Sequence, residues 1–82
     1  MKAREVVKDI LVKKNLSNVE FAKVLDITPT ALWDRLNTKK AKDIPVSLLN
    51  EMLKPLGYKI MITPSETPIG ESDYVIGENE SN

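Results

Sequence analysis

The side chains with the strongest claim on chemistry in this 82-residue chain are carboxylates, because it contains no histidine and no cysteine. Without imidazole or thiolate there is no ordinary zinc site, no redox pair and no Ser-His or Cys-His nucleophile. Glu71 with Asp73, and Glu78 with Glu80, have a spacing that imitates a general acid and base pair. Such a pair works only where neighbours fix its geometry and separate the two pKa values. Both fall in residues 64–82, a stretch biased to Pro, Gly, Ser and Glu that is too poor in apolar residues to fold by itself. The chain is therefore expected not to be an enzyme and to use no cofactor and no metal.

What remains is binding chemistry, and the charge distribution gives its sign. All twelve Lys and Arg lie between Lys2 and Lys59, against seven acids up to Thr63, so the body carries +5. From Pro64 onward there are five acids (Glu66, Glu71, Asp73, Glu78 and Glu80) and no base, so the tail carries −5. A mildly basic body suits a polyanionic partner; the plain alternative is an ordinary solvated surface. No apolar run approaches the roughly 18–20 residues that cross a bilayer, and the opening MKAREVVKDI lacks the apolar segment of a signal peptide. A soluble, cytoplasmic protein without membrane contact is expected.

Several short helices must position any binding residues. Ala3, Val6, Val7, Ile10 and Leu11 form the apolar stripe of a first helix over about residues 2–14, with Asn15 suited to the left-handed residue that ends it. Ser17-Asn18-Val19-Glu20 is a capping box, and Leu16 with Phe21 makes the accompanying hydrophobic staple. The second helix it opens buries Phe21, Ala22 and Leu25, and Asp26 is a turn residue. Thr28 followed by Pro29 opens a third helix, to about Leu36, that turns Ala31, Leu32 and Leu36 inward. With only about three residues between them, the second and third helices must cross steeply.

Residues 37–43 form a polar loop, after which Leu48, Leu49, Met52, Leu53 and Leu56 restore the stripe and Gly57 ends it. This fourth helix is capped either by Asp43, with Pro45 in the first turn, or by Ser47. Residues 58–63 read as one strand with Tyr58, Ile60 and Ile62 on a single face, stopped by Pro64. Tyr74-Val75-Ile76 is either a short docking strand or an accident of composition in a floppy tail, and the second reading is preferred.

The run Leu16-Ser17-Asn18-Val19-Glu20-Phe21-Ala22-Lys23-Val24-Leu25-Asp26-Ile27-Thr28 resembles the phage-repressor and Cro-like helix-turn-helix family, of the XRE type. The likeness continues through Ala31, Leu32, Leu36 and Asn37 to Gly57 and covers about residues 2–57. It implies an all-α fold: a four- to five-helix repressor-like bundle over residues 1–63 with one short C-terminal β-strand, then a disordered acidic tail over 64–82. It further implies that residues 28–37 form a recognition helix entering the major groove of double-stranded DNA. On that helix Pro29, Thr30, Trp33 and Asp34 would face the bases. Asn18 and Asn37 match backbone-contacting positions of the family, and Lys39, Lys40 and Lys42 follow within reach of phosphates.

The chain departs from the family at Asp26, where glycine is usual, and at Pro29, Thr30 and Asp34, where Arg, Gln or Asn make bidentate base contacts. Asp34 can accept from cytosine N4 yet repels phosphate. Trp33 would contact thymine methyls or a protein; its plain alternative is partial burial against Pro29 and the loop. The expected function is a DNA-binding transcriptional regulator, a repressor of phage or mobile-element type, working as a homodimer paired through Tyr58, Ile60 and Ile62. The alternative is a protein-binding helix-turn-helix module, such as an antirepressor or an inhibitor of a nucleic-acid enzyme, engaging its partner through Trp33 or the acidic tail.

Overall fold

A computed structural model describes residues 1–37 and 43–76. Within them the chain forms four helices and one 3₁₀ turn: α1 (Ala3–Lys13), α2 (Asn18–Leu25), α3 (Pro29–Asn37), α4 (Val46–Leu53) and the 3₁₀ turn Lys54–Leu56. None of these helices is long and apolar enough to cross a membrane.

Local chemistry explains where most helices begin and end. The Ser17 hydroxyl accepts from the Glu20 N–H at 3.1 Å, and the Ser17 N–H donates to the Glu20 carboxylate at 2.9 Å. Those bonds hold the Glu20 carboxyl below its ordinary pKa, the Ser17 backbone N–H contributing most. Thr28 accepts from the Ala31 N–H at 3.1 Å and opens α3 in the same manner. Three left-handed residues close helical segments: Asn15 at φ 54, Asp26 at φ 59 and Gly57 at φ 82. Each has the paired bonds of a Schellman motif, such as Ile27 N–H to Ala22 C=O at 3.0 Å and Asp26 N–H to Lys23 C=O at 3.1 Å.

The fourth helix is where local reading goes astray. Neither Asp43 nor Ser47 caps it; α4 starts at Val46 behind an extended Pro45 with no side-chain cap bond. Asp43 is engaged elsewhere. Its carboxylate accepts from the backbone N–H groups of Ala3 and Arg4, the latter at 3.1 Å, and from its neighbour Ile44 at 2.9 Å. It therefore caps the N-terminus of α1 from forty residues away along the chain. Burial pushes this carboxyl up, but the three N–H groups outweigh it and its pKa lies below the ordinary value.

The core collects one face of every helix. Val7, Ile10, Phe21, Ala22 and Leu32 are fully buried, with Leu36, Leu49, Met52, Leu53 and Leu56 packed among them. Helix α3 packs against both α1 and α2, and α4 against α1. Ala22 sits with no exposed surface on the helix that meets α3, so a larger side chain there would spread the pair.

Two expectations for the C-terminal part are corrected. Residues 58–63 form no strand among the described residues, because a strand exists only where a second backbone completes its ladder. Tyr58, Ile60 and Ile62 consequently do not share a face: the first two lie partly buried against the core, while Ile62 is 98% exposed. Nor is the segment from Pro64 to Ile76 a tail without contacts. It makes two turns, with Thr67 N–H to Pro64 C=O at 3.0 Å and Asp73 N–H to Gly70 C=O at 3.1 Å, and Tyr74 then packs on the core. The preferred reading of Tyr74 to Ile76 as an accident of composition is thus corrected: Tyr74 docks, though not as a strand, on Asp9 and Lys13 of α1 and on Tyr58.

Candidate nucleic-acid interface

The turn between α2 and α3 fixes what their outer surfaces can present. Asp26, at φ 59 and ψ 44, reverses the chain within three residues. Its carboxylate is compatible with this conformation because Asp enters the left-handed region more readily than most residues. With Leu32 and Leu36 held inside, helical spacing directs Pro29, Thr30, Trp33 and Asp34 outward, and all four are exposed. Trp33 retains 56% of its surface, so it is not absorbed by packing against Pro29.

Part of the expected set converges. Asn18, Trp33 and Asn37 line one surface groove, together with Lys8, Val12, Asn15 and Ser17. Pro29, Thr30 and Asp34 are not among the residues lining it and occupy the remaining exposed surface of α3. Lys39, Lys40 and Lys42 lie outside the described residues.

Lys8 was missed by sequence reasoning. Its ammonium donates to the Asn37 Oδ1 at 2.8 Å, and the Asn37 Nδ2 donates to the Trp33 carbonyl at 3.0 Å. The two bonds fix which way the amide points and lock the last turn of α3 to α1. Lys8 also brings a cation to the groove that Asn18 and Trp33 line. No local spacing pairs it with Asn37, 29 residues away; the contact is tertiary. Glu20 also lines the groove, but its carboxylate is turned back onto the Ser17 N–H.

Of the residues expected at a dimer surface, Tyr58 meets the C-terminal segment, whereas Ile62 stays exposed. The rings of Tyr58 and Tyr74 lie 6.1 Å apart at 57°, the Tyr74 hydroxyl donates to the Asp9 carboxylate, and the Lys13 ammonium stands 4.9 Å over the Tyr74 ring. Lys13 and Asp9 also pair at 3.4 Å. The Tyr74 hydroxyl, more than Lys13, holds the Asp9 carboxyl below its ordinary pKa. Burial, with help from the hydrogen bond to Asp9, raises the phenol's own.

This face offers hydrogen-bonding and stacking groups on a helical edge, with a lysine held beside them. In comparisons with known proteins, the chain matches no protein-family model, no curated protein and no solved structure.

Proposed function

We propose that this protein is a DNA-binding transcriptional regulator, a repressor of the type found in phages and mobile elements, built on the Cro-like helix-turn-helix plan. The observation that carries the proposal is the pairing of α2 with α3 across the left-handed Asp26, which leaves Pro29, Thr30, Trp33 and Asp34 exposed on a helix beside Asn18. In that reading α3 enters the major groove. Thr30 and Asp34 then meet base edges, Asp34 by accepting from cytosine N4, and Trp33 covers thymine methyls. Asn18, Asn37 and Lys8 hold the phosphate backbone, joined by Lys39, Lys40 and Lys42, which follow α3 in the sequence. One recognition helix covers few base pairs, so the regulator acts as a homodimer on half-sites about 34 Å apart.

A second reading keeps the scaffold and changes the partner. Trp33 is exposed in a groove whose walls include Val12 and Leu16, a surface that also suits a protein hot spot. Pro29 and Asp34 are poor base readers, which favours this alternative of an antirepressor or an inhibitor of a nucleic-acid enzyme.

Selection from random duplexes, followed by salt titration of the winner, separates the two. A regulator enriches a two-fold site, and its affinity falls with a log-log slope of about −0.9 for each phosphate neutralised. No duplex binding at low salt, or binding indifferent to salt, eliminates the DNA reading.

A further inference from the structure

A cavity of about 330 Å³ lies between the C-terminal segment and the body, and it shares no lining residue with the groove that Trp33 borders. Its size falls at the lower end of the range that holds small-molecule ligands, about 300–1,000 Å³. Val6, Ile10 and Leu53 form its floor, core side chains with almost no exposed surface. Tyr58, Ile60 and Tyr74 stand around it, each partly buried. Residues 61–73 are all exposed, so the chain passes over this space without packing it, and docks again at Tyr74.

The floor and walls select one kind of molecule. Three aliphatic side chains give water no hydrogen bond, so it is a poor occupant of the floor. A flat apolar ring displaces that water and joins the tyrosine pair, whose rings are tilted at 57° and 6.1 Å apart. Aromatic rings attract one another in such tilted arrangements at about 4.5–7 Å.

Charge at the rim selects the other end of the ligand. Two ionic side chains line the cavity, Lys59 and Asp73. Asp73 is engaged locally: its carboxylate accepts from the Gly70 N–H at 2.9 Å and closes a turn. Lys59 is exposed, and its ammonium has no hydrogen-bond or ion-pair partner among the described residues. The hydroxyls of Thr63 and Ser72, also on the lining, are further donors.

We infer that this cavity binds a small aromatic carboxylic acid, its ring on Val6, Ile10 and Leu53 beside the two tyrosines and its carboxylate at Lys59. No residue of α3 lines the cavity, so the inference stands or falls separately from the DNA reading.

The test is titration of the full chain with naphthoate, followed through the methyl NMR signals of Ile10, Leu53 and Ile60, with naphthylmethanol as the uncharged control. Naphthoate should shift those methyls, leave the Trp33 indole signal unmoved and bind more tightly than the alcohol. Lys59→Met should weaken naphthoate about two- to fivefold, the worth of one exposed ion pair, and leave the alcohol unchanged. Ile60→Trp, which fills the cavity from a partly buried position, should abolish binding of both. If Ile60→Trp loses helical signal, the exposed substitution Lys59→Met decides. Methyls that stay in place at millimolar naphthoate overturn the inference. So does equal affinity of the wild type for acid and alcohol, or a Lys59→Met variant that binds naphthoate as the wild type does.

Discussion

Replacing Asp43 with alanine removes a single carboxylate and should loosen the junction of α1 with the segment that leads into α4. Three backbone N–H groups, those of Ala3, Arg4 and Ile44, lose their acceptor together. A hydrogen bond to a charged group contributes about 1.5–3 kcal/mol, and an anion at a helix N-terminus a further ~0.3–1 kcal/mol. Asp43 is only partly buried, so water replaces some of what is lost. The expected net cost is about 2–3 kcal/mol, a fall in Tm of roughly 10–20 °C for a domain this small. Asp43→Asn, which keeps one acceptor oxygen, should lose about half as much.

Thermal unfolding followed by far-UV circular dichroism reads both variants, and pH supplies an internal control. The folded Asp43 pKa lies below the unfolded value of ~3.9, so its contribution is fully present above that pH and disappears as pH falls towards the folded value. The wild type and Asp43→Ala melting curves should therefore converge in acid. Asp9 and Glu20, also lowered, are present in both proteins and cancel in the comparison. A variant within about 0.5 kcal/mol of wild type at neutral pH, or a gap that persists in acid, would show that Asp43 does not tie α1 down.

Asp26→Gly should stabilise the fold by about 0.5–1 kcal/mol in denaturant titration, since glycine accepts the left-handed turn without a Cβ, partly offset by its freer unfolded chain. A destabilised variant would mean that the Asp26 carboxylate, rather than its backbone, is what the turn needs. Lys8→Met should barely move the midpoint of unfolding, release the Asn37 amide as seen in its side-chain NMR signals, and lower the salt slope of duplex binding by about 0.9. Between ~50 and 200 mM salt, the wild-type advantage in affinity should then shrink about 3.5-fold. An unchanged slope would exclude Lys8 from the interface.

What the sequence revealed was whatever depends on near neighbours. The Ser17 and Glu20 box, the Thr28 cap and the left-handed Asn15, Asp26 and Gly57 involve residues within five positions of one another, and each occurs where spacing predicts it. The apolar stripes located the core for the same reason, periodicity being a property of a single helix. Asp43 was misread because its side chain suits a local cap equally well, and only the fold brings the free end of α1 to it. Lys8 with Asn37, and Tyr74 with Asp9, are joined across 29 and 65 residues by pairs that no periodicity announces. For the candidate site, outward positions on α3 were legible from the inward ones. Which of them converge in one groove was not, because that depends on where α1 lies.

The left-handed residue between α2 and α3 also bears on how fast and how rigidly this surface can engage a partner. The reversal at Asp26 is fixed by backbone bonds inside a six-residue span, independent of any ligand. The outer surface of α2 and α3 is therefore already assembled in the free protein. Association then requires little ordering of the α2 and α3 backbone, so the entropic cost on these two helices is confined to side chains such as Trp33. Encounter should proceed as rigid-body docking, with a rate governed by charge steering rather than by a conformational step.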